Sequence, residues 1–220
     1  MKKPQRGWFI AGTDTDVGKT YVACRMLREL RMRGERVGAY KPAASGAVSR
    51  EASDAYQLWI AQGQTVSEDL VNPQSFVAPL APPVAAELEN RQVDEELLLH
   101  GVERWHDHCD ILLVEGAGGL MSPISWNMTN ADLAKAIGYP LVVVARNKLG
   151  VVHQVLAACE AAVAKGLNVN EIVLNDVSRE ADDAGNSNER LLAPFLAKIL
   201  PGVSIRREAF GNETGSGDQA

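Results

Sequence analysis

Short apolar runs alternate with amphipathic segments along most of this chain. The apolar runs are mostly continuous, as in strands buried on both faces of a parallel sheet, and they predict strands at residues 8–11, 37–40, 111–114, 141–145 and 172–174. Apolar positions with helical spacing predict helices at residues 19–33, 52–62, 93–105, 130–137, 152–165 and 188–199. This alternation predicts an α/β fold with a doubly wound, mostly parallel sheet and helices on both faces. Ligands of such sheets bind at the carboxyl ends of the strands.

Two segments do not follow this alternation. Residues 72–83 contain four prolines and predict an extended surface loop. Residues 211–220 are polar and glycine-rich, which is typical of a flexible tail. Since the sequence shows no internal repeat and no second apolar unit, we expect residues 1–210 to form a single domain.

Composition narrows the functional classes. The 220 residues are 46% hydrophobic and 23% charged, which suits one full-sized core. The net charge of −6 disfavours a nucleic-acid surface, and acidic residues interrupt the arginine-rich stretch at 25–36. The cysteines (Cys24, Cys109 and Cys159) show no C-x-x-C spacing, which indicates buried thiols in a reducing compartment. No apolar stretch is long enough for a signal peptide or a membrane span, so we expect a cytoplasmic protein without nucleic-acid or membrane partners.

The most specific motif, Gly-Thr-Asp-Thr-Asp-Val-Gly-Lys-Thr, occupies residues 12–20. It follows a predicted strand and opens a predicted helix, which is the context of a phosphate-binding loop (P-loop). In such a loop backbone N–H groups face the phosphates, Lys19 reaches the terminal phosphates and Thr20 can ligate Mg²⁺. The loop is a variant, because five residues separate Gly12 from Gly18 where four are usual.

Charged residues also follow two other predicted strands. Lys41 lies at the end of the second strand, where it is either a solvated lysine or a second cation that offsets charge during phosphoryl transfer; the neighbouring P-loop favours the cation. Glu115 ends the run at 111–114, where nucleotide hydrolases place a metal-binding carboxylate. The glycines that follow it predict a flexible turn that lets the backbone approach a phosphate closely.

Three weaker patterns remain open. Ser53-Asp54 either caps a helix or supplies a Mg²⁺ ligand through Asp54. Asn175-Asp176 offers donors and acceptors for a nucleobase, although residue chemistry alone favours a common Asn-Asp turn. Residues 148–150 form either a plain glycine turn or the start of a helix whose N-terminus holds a carboxylate. The histidines show no metal-site spacing, and no Ser-His-Asp or Cys-His arrangement is evident.

Taken in order, six motifs resemble the dethiobiotin synthetase family over residues 12–176. They are Gly-Thr-Asp-Thr-x-Val-Gly-Lys-Thr, Lys-Pro-x-x-Ser-Gly, Ser-Asp-Ala, Val-Glu-Gly-Ala-Gly-Gly, Lys-Leu-Gly and Asn-Asp. The resemblance implies a ligase of biotin biosynthesis that uses ATP and Mg²⁺. Such an enzyme forms the ureido ring of dethiobiotin from 7,8-diaminononanoate and CO₂ and releases ADP and phosphate. It also implies a homodimer with the substrate site at the interface.

The resemblance further implies a role for each matching residue. Lys41 and Lys19 would be catalytic, and Ser45 would contact the substrate. Mg²⁺ would be held by Thr20, Asp54 and Glu115. ATP would be bound by Asp16, Val17, Gly18, Lys19, Thr20, Tyr21, Glu115, Gly116, Ala117, Gly118, Asn175 and Asp176. The family's usual Gly-x-Ile-Pro-like adenine segment has no counterpart at residues 202–207, so the adenine contacts carried over are Asn175 and Asp176 alone.

The implied mechanism needs no protein nucleophile. CO₂ adds to one amine to give a carbamate, and a carbamate oxygen attacks the γ-phosphate. The second amine then closes the ring and expels phosphate. The protein would act by positioning and by charge neutralisation.

Two other classes share parts of this pattern. A partition-type ATPase has a similar variant loop, but with a lysine near its start and glycines at the positions of Thr13 and Asp14. A cobyrinate-type amide synthetase normally carries a glutaminase domain, for which 220 residues leave no room.

Overall fold

A computed structural model describes residues 2–178 and 183–211, with side chains omitted at 183 and 184. Its centre is a six-stranded parallel sheet. The strands of the structure are β1 (Arg6–Gly12), β2 (Val37–Tyr40), β3 (Ala44–Ser45), β4 (Ser75–Phe76), β5 (Ile111–Gly119), β6 (Leu141–Arg146), β7 (Val169–Asn175) and β8 (Ser204–Glu208). The order in the sheet is β2-β5-β1-β6-β7-β8, while β3 and β4 form a separate pair.

Helices connect these strands on both faces of the sheet. They are α1 (Lys19–Met32), α2 (Asp54–Ala61), α3 (Glu68–Val71), α4 (Pro82–Leu88), α5 (Glu95–His100), α6 (Asn130–Ile137), α7 (Val151–Ala164) and α8 (Asp183–Ile199). A short 3₁₀ helix, Gly101–Trp105, follows α5. Among the helices of the described residues, none is both long and apolar enough to span a bilayer.

The predicted doubly wound parallel sheet is confirmed, because every predicted strand and helix has a counterpart. The continuous apolar runs form strands whose side chains are covered on both faces; Ile111, Leu112 and Val114 have no exposed surface. Burying one such side chain stabilises the fold by about 1.5–3 kcal/mol. Strands β2 and β5 lie on one side of β1 in the sheet, and β6, β7 and β8 lie on its other side. Connections therefore diverge at the carboxyl end of β1, which is where open α/β sheets place their ligands.

Three sequence-based predictions are wrong in detail. Residues 72–83 are not simply an extended loop, since they contain β4 and the first two residues of α4, where Pro82 and Pro83 suit a helix start. The glycines after Glu115 do not form a turn directly, because β5 continues to Gly119. The helix predicted at 93–105 is divided into α5 and the 3₁₀ helix. The tail predicted at 211–220 lies, apart from Gly211, outside the described residues.

Candidate functional site

The loop between β1 and α1 forms an open cradle at the carboxyl edge of the sheet. Asp16 and Gly18 adopt left-handed backbone conformations, with φ of 55° and 89°. No described side chain caps the N-terminus of α1, so its first N–H groups stay available to an anion. A methyl group at Gly18 would lie 2.1 Å from Asn175 Nδ2, so this position requires glycine for space as well as for φ. The predicted P-loop motif therefore has the backbone shape that phosphate binding needs.

Lys19 is the first residue of α1 and is almost completely buried. Its ammonium donates a hydrogen bond to the Asp14 carbonyl oxygen at 3.2 Å, which folds the side chain back over the loop. Burial lowers the pKa of Lys19, and the nearby Lys41 cation lowers it further. A phosphate in the loop would supply the negative charge that this buried ammonium lacks.

Lys41 joins the ends of β2 and β5 to the start of α2. Its Nζ lies 2.6 Å from Glu115 Oε1, 2.9 Å from Asp54 Oδ2 and 3.3 Å from the Gly116 carbonyl oxygen. The Thr20 hydroxyl donates to the same Glu115 oxygen at 2.8 Å. Lys41 and Glu115 are both buried, whereas the Asp54 side chain is half-exposed. Four residues that are far apart in the sequence therefore meet beside the P-loop.

The charge states follow from this pairing. Burial alone would lower the pKa of Lys41, but Glu115 and Asp54 together raise it above its usual value, so the ammonium stays protonated. The Lys41 cation holds the pKa of Asp54 below its usual value. Burial raises the pKa of Glu115, and Lys41 opposes that rise. The cluster is an ionic network in which one lysine is shared by two carboxylates.

The oxygen atoms of this cluster fit a magnesium ion. Glu115 Oε2 is buried and has no hydrogen-bond partner among the described residues. Carboxylates and a hydroxyl are the hard donors that Mg²⁺ prefers, and Mg²⁺ usually takes only one or two carboxylates together with phosphate oxygens and water. Within residues 2–178 and 183–211, no group of three or more His, Cys, Asp or Glu side chains could cage a metal. The donor set thus suits a metal that arrives with a nucleotide.

A cavity of about 780 Å³ opens in front of this network. Its polar lining includes residues of the P-loop, Lys41 and Asp54, and Ala117 and Gly118 also contribute. Apolar residues of the lining include Pro79, Leu80, Ala81, Pro82 and Pro123. Ser45 also lines the cavity, and its hydroxyl donates to the Leu80 carbonyl oxygen at 2.6 Å. The cavity is therefore lined by both charged and apolar residues.

Sequence reasoning missed part of this lining. Thr15, Ser122 and the proline-rich residues 79–82 all face the cavity. The run of prolines was a usable signal, since β3 and β4 pair directly before it and hold it next to Ser45.

Several predicted nucleotide residues lie outside the cavity lining: Val17, Tyr21, Glu115, Gly116, Asn175 and Asp176. Asn175 is buried behind the P-loop and donates from Nδ2 to the Val17 carbonyl oxygen at 3.0 Å. Asp176 accepts hydrogen bonds from Asn147 Nδ2 at 2.7 Å and from Arg207 Nε at 2.6 Å. The segment that lacks the family's proline forms edge strand β8 and supplies Arg207 to this contact.

Two of the patterns that the sequence left open can now be described. The Ser53 hydroxyl accepts from the Tyr56 N–H at 3.1 Å, so Ser53 caps α2 while Asp54 faces Lys41. Helix capping by Ser53 and the contact of Asp54 with Lys41 are therefore compatible. Gly150, with φ of 91°, precedes α7, and Leu149 beside it is exposed.

The chain is similar in sequence to proteins of a known family. A family model described as an AAA domain matches residues 6–203. The ATP-dependent dethiobiotin synthetase BioD of Rhodopirellula baltica is 39% identical over 219 residues, covering 93% of this chain and 85% of the relative. The enzyme of the same name from Anaeromyxobacter dehalogenans strain 2CP-C is 42% identical over 214 residues, covering 94% of this chain and 96% of the relative.

Solved structures with a similar backbone are more distant in sequence. The hydrogenase maturation factor HypB from Archaeoglobus fulgidus superposes with a TM-score of 0.56 at 18% identity, covering 96% of this chain and 84% of that one. The MinC:MinD cell division protein complex of Aquifex aeolicus gives 0.54 at 12% identity, with coverage of 92% and 81%. At these identities the likeness shows a shared fold alone.

Proposed function

Since the chain belongs to the ATP-dependent dethiobiotin synthetase family, we propose that it closes the ureido ring of dethiobiotin in biotin biosynthesis. The substrates are 7,8-diaminononanoate, CO₂ and ATP, and the products include ADP and phosphate. The observation that best supports this reaction is that Lys19 and Lys41 line the same cavity as the apolar residues 79–82 and Pro123. A phosphoryl group and a hydrocarbon chain can therefore lie side by side.

The P-loop binds the ATP phosphates in this proposal. The free N–H groups at the start of α1 face the phosphate oxygens, and Lys19 neutralises the terminal phosphates. The Mg²⁺ ion would be held by Thr20, Asp54 and Glu115, and it would neutralise phosphate charge. These residues fit that role because their oxygens already converge.

Lys41 is the proposed catalytic lysine. Its ammonium has three N–H donors, and they form hydrogen bonds with Glu115, Asp54 and the Gly116 carbonyl oxygen. A carbamate or phosphoryl oxygen in the cavity can replace one of these acceptors. Because negative charge shifts between these oxygens during transfer, the contact strengthens in the transition state and lowers the barrier.

The diamine substrate matches the polar and the apolar residues that line the cavity. Its amines belong near Lys41 and the Ser45 hydroxyl, and its hydrocarbon chain belongs along residues 79–82 and Pro123. Burial of the hydrocarbon chain would hold the two amines in position, although the chain itself does not react. The carbamate attacks the γ-phosphate, and the second amine then displaces phosphate from the mixed anhydride.

The base of the nucleotide belongs near the end of β7. Asn175 Oδ1 is buried and has no hydrogen-bond partner among the described residues, so it can accept from an amino group of the base. We assign Asp176, Val17, Tyr21 and Gly116 to the same nucleotide site, beside the lining residues Asp16, Gly18, Ala117 and Gly118.

We also propose that the protein is a homodimer and that residues 1–210 act as one ligase unit. The core around the sheet is continuous from Phe9 to Leu196 among the described residues, which supports one unit. Exposed Leu80 lines the cavity, and exposed Met121 and Trp126 flank the lining residues Ser122 and Pro123 in the sequence. Apolar side chains in such a position favour a protein partner.

Product analysis tests the proposed reaction. The full chain is incubated with 7,8-diaminononanoate, isotopically labelled bicarbonate, ATP and Mg²⁺, and the product is analysed by mass spectrometry. We expect labelled dethiobiotin and one ADP for each ring formed, with no ADP when the diamine is omitted. The less supported alternative, a partition-type ATPase, predicts ADP formation without the diamine and no labelled ring. That result would overturn the proposal.

A further inference from the structure

The carboxyl end of β5 contains a bulge next to the proposed site. In the pairing of β5 with β1, Ile10 lies opposite Glu115, but Gly12 lies opposite Gly119. One residue of β1 therefore faces three residues of β5, Gly116 to Gly118. Bulges of this kind interrupt the ladder of hydrogen bonds and redirect backbone groups, often beside active sites.

A single buried side chain, Asn130, hydrogen-bonds both backbone groups of Ala117 at the centre of this bulge. Its Oδ1 accepts from the Ala117 N–H at 3.1 Å. Its Nδ2, which carries two N–H groups, lies within hydrogen-bond distance of three carbonyl oxygens, those of Ala117 at 2.6 Å, Gly119 at 2.9 Å and Ser122 at 3.2 Å. A carboxamide offers the same donor and acceptor as a peptide group. Asn130 thus replaces the strand partner that the bulge lacks.

The position of Asn130 is itself rigid. It is the first residue of α6, directly after Thr129, whose hydroxyl forms a capping box with Asp132. The Asn130 N–H donates to the Ser122 carbonyl oxygen at 3.0 Å, and the residue is 1% exposed. A side chain fixed in this way can hold a neighbouring loop within a narrow geometry.

The bulge carries groups that face the proposed reaction. The Gly116 carbonyl oxygen accepts from Lys41 Nζ at 3.3 Å, and Ala117 and Gly118 line the cavity. A methyl group at Gly116 would lie 2.7 Å from Asn130 Oδ1, so the bulge and the amide are in close contact. A shift of the bulge would therefore move an acceptor of Lys41 and one cavity wall together.

We propose that Asn130 is a positioning residue for the proposed ligase reaction. It does not line the cavity. It bonds both backbone groups of Ala117 in the β5 bulge and so holds the Gly116 carbonyl against Lys41 and the Ala117-Gly118 backbone at the cavity wall. This inference rests on the proposed function for its kinetic consequence, while its structural consequence can be measured without turnover.

Kinetics of two variants in one helix separate positioning from general support of the fold. Asn130→Ala removes the hydrogen bonds to the bulge, whereas Ile137→Ala removes a buried side chain from the other end of α6. At a temperature where both are fully folded, we expect Asn130→Ala to lower kcat about tenfold or more, with the KM for the diamine changed less than about threefold. Ile137→Ala should keep kcat within about twofold. Equal losses of kcat in the two variants would overturn the inference.

Amide hydrogen exchange provides a readout that needs no activity. Asn130→Ser serves as the milder variant if the alanine variant does not fold. In the Asn130 variant that folds, we expect the Ala117 amide to exchange about tenfold faster than in the wild type, with amide exchange in β6 unchanged. Unchanged Ala117 exchange would contradict the assignment. If the wild type makes no dethiobiotin, the proposed function fails, and the exchange data still decide the role of Asn130.

Discussion

Lys41 and Glu115 form a buried ion pair across two adjacent strands, with 2.6 Å between Nζ and Oε1. The pairing of Tyr40 with Val114 in the sheet places the two residues side by side, since each is the next residue along its strand. Removing one partner of a buried pair leaves an uncompensated charge and costs about 3–5 kcal/mol in stability. The pair therefore links the chemistry of the site to the stability of the sheet.

Lys41→Gln should lower kcat far more than it weakens ATP binding. Losing a charge that acts on the transferring group typically costs about 10²–10³-fold in kcat. Lys41→Arg should not restore the rate, because a planar guanidinium does not replace a compact ammonium. Steady-state kinetics and ATP titration measure both effects, with the exposed Lys135→Gln as the matched control. A kcat for Lys41→Gln within about twofold of the wild type would remove Lys41 from the site.

Lys19→Ala should abolish turnover, because the terminal phosphates lose the only lysine of the P-loop. We expect ATP affinity to fall as well, since in the proposed reaction this buried ammonium would contact the phosphates before and during transfer. Product formation by mass spectrometry and ATP binding by calorimetry check this outcome. A near-normal kcat would show that the loop does not hold the reacting phosphate.

Glu115→Gln keeps the shape of the side chain and removes its charge. If Glu115 holds Mg²⁺, the concentration of Mg²⁺ that supports half-maximal rate should rise about tenfold or more. Rate measurements across a Mg²⁺ titration at saturating ATP give this value. A titration curve that coincides with that of the wild type would assign Glu115 a structural role as the partner of Lys41.

Gly18→Ala and Gly34→Ala form a matched pair. Both glycines have positive φ, 89° and 81°, so alanine is strained at each position by about 1 kcal/mol. Only Gly18 is close to another group, Asn175 Nδ2, while no described heavy atom lies within 4 Å of a methyl group at Gly34. Gly18→Ala should therefore lose ATP affinity as well as stability, and Gly34→Ala stability alone. Equal ATP affinities in the two variants would contradict this contact.

The capping box of α6 should make stability depend on acid pH. Hydrogen bonds from Lys165 and Thr129 lower the pKa of Asp132 to about 2. Because the folded pKa lies below the unfolded value of about 3.9, the stabilisation is present above about pH 4 and is lost as the pH falls towards 2. Urea unfolding of the wild type and Asp132→Asn should show a difference that is constant near neutral pH and shrinks in acid. A difference that does not vary with pH would exclude Asp132 ionisation as its cause.

Local patterns were sufficient for the fold class and for five of the six strands of the central sheet. Buried strands such as β2 and β6 are continuous apolar runs, and the helices have apolar positions with a spacing that any amphipathic helix requires. The P-loop was equally visible, because its glycine, lysine and threonine lie within one short segment that directly joins β1 to α1. Hydrophobic periodicity and short-range motifs depend only on neighbouring residues, so the sequence alone determines them.

Other elements were not visible in this way. Edge strand β8 is partly polar (Ser-Ile-Arg-Arg-Glu), and β7 is its strand partner in the sheet. The β3–β4 pair depends on contacts between segments about thirty residues apart, so no local pattern indicates it. The prolines at the start of α4 were a local signal, but they suit a loop as well as a helix start.

The sequence by itself therefore determined the fold class, the P-loop and the identity of the charged residues at the strand ends. Only the tertiary structure decided how those charges are paired and which groups hold them. Lys41 meets Glu115 because of strand register, and Asn130 reaches the β5 bulge because α6 packs beside it. Register and packing arise from hydrogen bonds and buried surface between residues that are distant along the chain, and these long-range contacts leave no periodic signal in the sequence.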